Sequence, residues 1–286
     1  MSHLPLPLKQ PSAAIPVPGY VHLLPYRLRR RWLVGSKRFM IVSHPRSGSN
    51  FLRDALNSHP DAFEFGETFH GNPAVSIYPA QVLGKGQLPF EDLDSLMDKL
   101  AAERQVEATG FTLFSQAKGH LLDYRAAAKL ASRRDIHVIF LARRNLLKAY
   151  VSLKRALLTG FWHVDTTGNP IAWAHASPLP DGRERAIGPV DVVEAREWIA
   201  ETQAFLERVE QAAAACGKIC HRVHYEDLCL AGAARSLEEV NCTLRYLGLR
   251  SLERYEPTLG RTADRTFYES IPNREELVRG LDFDLD

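Results

Sequence analysis

Apolar and polar positions along the chain follow two different periods. Short apolar runs of strand length occupy 39–43, 137–142 and 219–225. The first two run directly into stretches of helical period. Over 50–57, Phe51, Leu52, Ala55 and Leu56 share one helical face, and over 146–158 Leu146, Leu147, Tyr150, Val151, Leu153, Leu157 and Leu158 recur at helical intervals. The third run follows a long amphipathic pattern over 190–215 and precedes another over 236–247. Strands alternating with helices predict an α/β fold with a parallel central sheet flanked by helices. Two aperiodic stretches, 71–89 and 163–190, read as long loops or lids, and loops of that length in a compact domain are often functional. No repeat is visible, and no apolar run approaches the roughly 18 residues of a membrane-spanning helix.

Composition narrows the class only a little. With 286 residues, 45% hydrophobic and 24% charged, the chain can bury a sizeable core and is not a wholly disordered, collagenous or disulfide-scaffold sequence. Its net charge of +2 conceals an asymmetry: all nine Lys and Arg residues of 1–53 precede the first acid, Asp54, leaving 27 bases against 34 acids beyond. A basic segment on a mildly acidic body points to a local anionic partner and away from a nucleic-acid-coating surface. Arg27, Arg29, Arg30, Arg31, Lys37 and Arg38 read equally well as a solvated basic arm. Six of the 17 prolines fall within 1–26, so 1–37 is expected to be an extended proline-rich arm and 38–286 a single domain. The prolines also interrupt every apolar core that a secretory signal would need. Weak contact of the basic arm with a membrane surface, around 28–32, is a further use of its charge. Cys216, Cys220, Cys229 and Cys242 form no C-x-x-C pair and no zinc pattern, so a reducing cytoplasm is the expected location.

The sharpest local signal is His44-Pro45-Arg46-Ser47-Gly48-Ser49-Asn50-Phe51, between the first strand and its helix. Gly48 permits backbone that converges N–H groups; Ser47, Ser49 and Asn50 add side-chain donors; Arg46 adds a full charge beside a positive helix end. An ordinary turn with an Asn cap would use similar residues. The Walker pattern G-x-x-x-x-G-K-[ST] is absent: the basic residue comes before the glycine.

This stretch resembles the 5′-phosphosulfate loop of PAPS-dependent sulfotransferases. Arg144 and, eight residues on, Ser152 have the spacing of that family's 3′-phosphate motif, again after an apolar strand. Ser152-Leu153-Lys154-Arg155-Ala156-Leu157-Leu158-Thr159-Gly160-Phe161-Trp162 is similar to a pattern in bacterial carbohydrate sulfotransferases that modify nodulation factors, lipopolysaccharides or trehalose glycolipids. His59-Pro60-Asp61 with Glu67 resembles a carbohydrate-enzyme segment whose glutamate is the proposed general base, and Tyr225-Glu226-Asp227-Leu228 is another common feature. The resemblance covers roughly residues 38–280 and implies a P-loop-like nucleotide fold. It also implies sulfuryl transfer from PAPS, without a metal, to a hydroxyl of a small-molecule, carbohydrate or glycolipid-like acceptor. Arg46, Ser47, Gly48, Ser49, Asn50, Phe51, Arg144 and Ser152 would then bind PAPS, with Arg46 and Glu67 catalytic. His70 and His163 are second choices for the base, and Arg155, Thr159 and Trp162 would line the acceptor side. The pattern departs at Asn50, where Ser or Thr is usual, and at Thr112, where lysine is common. No R-K-G motif occurs near the C-terminus; Arg261 and Arg265 are basic candidates there. A nucleotide-dependent phosphotransferase and a non-catalytic PAP- or nucleotide-binding protein are the alternative readings.

Overall fold

A computed structural model describes residues 36–70, 76–85, 88–115, 124–160, 162–165, 187–260, 265–283 and 285. The arm before residue 36, most of the 163–190 loop and Arg261 lie outside them.

β1 (Lys37–Ser43) forms where Phe39, Met40, Ile41 and Val42 are all fully buried. Such a continuous apolar run suits a strand covered on both faces. It enters α1 (Ser49–Ser58) through a five-residue loop. β2 (Ala62–Glu64), α2 (Tyr78–Leu83), α3 (Leu93–Arg104), β3 (Ala108–Phe114) and α4 (Tyr124–Ser132) follow. Next come β4 (Ile136–Ala142), α5 (Leu146–Thr159), β5 (Val164–Asp165), α6 (Val192–Ala215) and β6 (His221–His224). α7 (Tyr225–Cys229), α8 (Ala233–Tyr246), β7 (Leu259–Gly260), α9 (Arg265–Glu269) and α10 (Arg274–Leu281) complete the order. The main sheet has five parallel strands in the order β2-β3-β1-β4-β6, and β5 pairs antiparallel with β7. The expected α/β fold with a helix-flanked parallel sheet is the one present.

Strand parity divides the core. Phe39 and Ile41 of β1, with Ile139 and Leu141 of β4, pack beneath α1, α7 and α8. Met40, Val42, Phe111, Leu113, Val138 and Phe140 pack against α3, α4 and α6 on the other face. A third cluster joins α5, α6 and α10 through Leu147, Val151, Ile199 and Leu277. Burying each of these large side chains contributes roughly 1.5–3 kcal/mol. Several elements differ from the sequence pattern, the unpredicted helices α3 and α4 among them. β2 and β3 are additional strands, the third apolar run yields only four strand residues at β6, and α2 occupies part of the stretch read as a loop at 71–89.

The basic residues at the start of β1 are structural. Arg38 pairs with Asp94 (3.1 Å), Asp98 (2.8 Å) and Asp135 (2.9 Å), and Lys37 donates to the carbonyls of Leu247 and Gly248. These ties hold the amino edge of the sheet, so neither residue belongs to a solvated arm.

β1 and β3 approach very closely where Phe39 faces Gly110. A Cβ on Gly110 would lie 2.3 Å from the Phe39 ring, which is fully buried and has nowhere to go. Gly110→Ala is expected to lower stability by about 1–3 kcal/mol in urea denaturation, with partial recovery in the double variant with Phe39→Leu. An unchanged midpoint in Gly110→Ala would refute this.

Candidate functional site

In an open parallel sheet, ligand sites lie beyond the carboxyl ends of the strands. Here that edge collects the loops after β1, β2, β4 and β6. The first of these turns tightly. Arg46 has φ 65° and Gly48 φ 90°, both left-handed. Two such residues around Ser47 swing successive N–H groups to one side, a concavity of the kind that can hold an anion. At Gly48 the glycine is also required sterically, because a Cβ would meet the Tyr225 ring at 2.8 Å.

The loop is anchored from beneath. Ser43 Oγ donates to Leu141 O at 2.6 Å and lies 2.6 Å from Ser47 Oγ. A carbonyl can only accept and Ser43 has one hydroxyl proton, so Ser47 must be the donor between the two serines. Its hydroxyl proton is therefore directed into the fold, contrary to its expected use as an outward donor; what Ser47 offers a ligand is its backbone N–H. Phe51 and Leu52 N–H both bond to Gly48 O, and the Phe51 ring packs edge-on to Tyr255 at 5.6 Å. Phe51 is therefore a packing residue whose N–H is already used within the turn.

α1 has neither a side-chain cap nor an acid in its first turn, whereas Asn145 caps α5 and Asp191 caps α6. Asn50 is thus not the cap of an ordinary turn; its Nδ2 lies 2.9 Å from His163 Nε2. The N–H groups that open a helix have no intrahelical partner, so the start of α1 presents its dipole to the same concavity.

Arg46 joins the two sequence motifs. Its Nε donates to Ser152 Oγ at 3.1 Å, and its Nη1 to Trp162 O at 2.5 Å. Burial pulls its pKa down to about 10, with the Arg143 and Arg155 charges acting in the same direction and Tyr225 and Tyr268 opposing them. Arg144, by contrast, faces outward and bonds Asp227 Oδ2 at 2.5 Å, while its backbone N–H and that of Asn145 reach the Glu226 carboxylate. Arg46 and Ser152 therefore meet, and Arg144 sits at the rim. Thr159 is buried and donates to Arg155 O at 2.8 Å; Arg155 lies 4.5 Å over the Phe267 ring.

Beyond β2, Phe65 N–H bonds to Gly110 O and Thr112 N–H to Gly66 O, carrying the next residue, Glu67, along β3 to the carboxyl edge. Glu67 is partly buried, and burial raises its pKa to about 7, assisted by Glu64 and opposed by Arg53. His70 N–H donates to Glu67 O at 3.3 Å.

Three functional candidates escaped the sequence reading. Glu64 is buried: Oε1 accepts from Thr112 Oγ1 (2.9 Å) and Gly66 N (3.0 Å), while Arg53 Nε lies 3.8 Å from Oε2. Thr112, noted for replacing a lysine, is thus a partner of this carboxylate. Arg143 is buried between the loops and lies 4.5 Å over the Tyr225 ring. His44 is the third. Its Nε2 accepts Arg143 N–H at 3.0 Å, which leaves Nδ1 to donate to Pro45 O at 2.9 Å, fixing one neutral tautomer.

Burial lowers the His44 pKa from 6.5 to about 4. The unfolded chain therefore takes up this proton first, and the stability it governs is complete above pH 6.5 and declines as pH falls toward 4, by about 3 kcal/mol at the acid end. His44→Gln is expected to be less stable at pH 7 and to show a flatter fall in stability between pH 6.5 and 4. Urea titrations across that range check it; equal slopes in the two proteins would refute it.

No family model matches the chain, and no curated protein matches it in sequence. Among solved structures it is similar to a sulfotransferase from Alicyclobacillus acidocaldarius, with 14% identity, a TM-score of 0.45, and coverage of 88% of this chain and 98% of that one.

Proposed function

We propose that the protein is a sulfotransferase that moves a sulfuryl group from PAPS to a hydroxyl of a carbohydrate or glycolipid-like acceptor, releasing PAP and a sulfate ester. The observation that carries this reading is the 3.1 Å contact between Arg46 and Ser152, which unites the two motifs of the resemblance across 106 residues. The donor set fits a phosphosulfate: a left-handed turn, an uncapped helix start without acids, and a partly buried arginine lie at one place.

PAPS supplies an activated sulfur whose S–O bond to the 5′-phosphate breaks as the acceptor oxygen bonds to sulfur, leaving the electron pair on the phosphate. The chain's own part is positional and electrostatic. Arg46 and the N–H groups of 47–50 neutralise the charge that grows on the phosphate oxygens and hold it in register. Arg46 then exchanges its contact with Ser152 for one with the ligand, and Ser152 turns its hydroxyl to the nucleotide. Arg144, which bonds Asp227 through Nη2, turns its remaining guanidinium N–H groups to the 3′-phosphate. Glu67 receives the acceptor's hydroxyl proton. Its pKa of about 7 suits it to holding that proton near neutral pH. Trp162 and Arg155 border the acceptor side.

Incubation with PAPS and a panel of sugars and glycolipids is expected to release PAP, and a failure to turn over with every acceptor class would overturn the proposal. Glu67→Gln is expected to bind PAP normally and to lose about 10²–10⁴-fold in kcat. Since the ionised form is the base, activity should rise with pH to a plateau, with a midpoint near 7. Unchanged turnover in Glu67→Gln would remove Glu67 from the mechanism.

A further inference from the structure

Arg143 and Arg144 are adjacent, yet their surroundings are opposite. Arg144 is exposed and paired with Asp227. Arg143 is 8% exposed, and among the described residues it has no carboxylate partner. Its Nη2 donates to the Tyr268 hydroxyl at 3.2 Å, its guanidinium lies over the Tyr225 ring, and its Nε is buried with no hydrogen-bond partner. Its neighbouring charges include Arg46, and mutual repulsion between the two is part of what lowers the Arg46 pKa. A buried guanidinium with one hydrogen bond beside a second cation is costly to fold. An oxyanion relieves both penalties.

The place of that anion follows from Tyr225. The ring that carries Arg143 is also the ring that packs against Gly48, at the centre of the phosphate-type loop. His44 accepts from the Arg143 backbone N–H, which ties the two loops together. We infer that Arg143 is an anion-binding residue of this cleft, acting with Arg46 on the oxyanion held by the loop after β1, which is the 5′-phosphate end of an adenine nucleotide. This rests on the nucleotide reading above and adds a ligand contact at a position that the motif spacing assigns to no role.

Calorimetric titration with PAP and with 5′-AMP tests it, because only PAP carries a 3′-phosphate. Arg143→Gln is expected to weaken both ligands alike, by about 10–100-fold, as for loss of a charge-assisted hydrogen bond. Arg144→Gln is expected to weaken PAP alone. If Arg143→Gln does not fold, Arg143→Lys carries the test: it keeps the charge, loses the planar fork, and should weaken both ligands about tenfold. Unchanged affinity for both ligands in a folded Arg143 variant overturns the inference while leaving the proposed function standing. A loss confined to PAP overturns the placement at the 5′ end. Absence of PAP binding by the unaltered protein overturns the proposed function itself, and this inference with it.

Discussion

The carboxyl edge of the sheet depends on a short chain of inward hydrogen bonds: Ser47 to Ser43, Ser43 to Leu141 O, and Arg143 N–H to His44. A left-handed turn at a non-glycine residue such as Arg46 carries strain on the order of 1 kcal/mol and persists only where its surroundings over-determine it. These bonds provide that constraint. They fasten the loop after β1 to the end of β4 and use up the side-chain polar groups that face the core. The backbone N–H groups and the start of α1 are then left to face the cleft. Fastened in this way, the loop would need little ordering to take the anion proposed for it.

Charge is arranged around that anchored loop in two separate groups. Arg46, Arg143 and Arg155 influence one another near Tyr225 and Tyr268, on the side of β1 and β4. Glu64 and Glu67 lie on the side of β2, with Arg53 of α1 facing both. In the sheet order β3 lies between β2 and β1, so the strands that lead to the two groups stand at least two spacings apart, roughly 10 Å. In the transfer proposed above, the cations would stand where the leaving group collects charge and Glu67 where the attacking hydroxyl sheds its proton, and the separation keeps the carboxylates from pairing with the arginines.

Much of the fold was legible because β1 and β4 are buried on both faces and read as unbroken apolar runs. β3 is buried along its whole length too, but Thr109, Gly110 and Thr112 interrupt its apolar pattern. Two of these residues answer to a neighbour, Gly110 to the Phe39 ring and Thr112 to Glu64, while the Thr109 hydroxyl is buried without a hydrogen-bond partner. β2 is only three residues long and has no period to show. At the site, spacing singled out Arg144 because motif spacing counts positions and does not see faces. Strand parity carries the missing signal. Ile139 and Leu141 point to the α1 and α8 side, and Arg143, in phase with them just past the strand end, reaches the Tyr225 ring, while Arg144 turns outward to Asp227 of α7. The same rule turns Glu64, in phase with the buried Ala62, toward α1 and Arg53.

Parity also gives physical content to the departure at Thr112. Phe111 and Leu113 face α3 and α4, so residue 112 faces α1, above Glu64. A lysine there, as in the pattern the sequence resembles, would set an ammonium beside this carboxylate and near the loop after β1. In this chain the hydroxyl of Thr112 satisfies one oxygen of Glu64, and the cation comes from Arg53 across the layer. Arg53 stands on the helix that begins at the phosphate-type loop and acts electrostatically on both Glu64 and Glu67. The charge that faces these two carboxylates therefore stands on a helix, one turn beyond the loop after β1, and not on the sheet that carries Thr112.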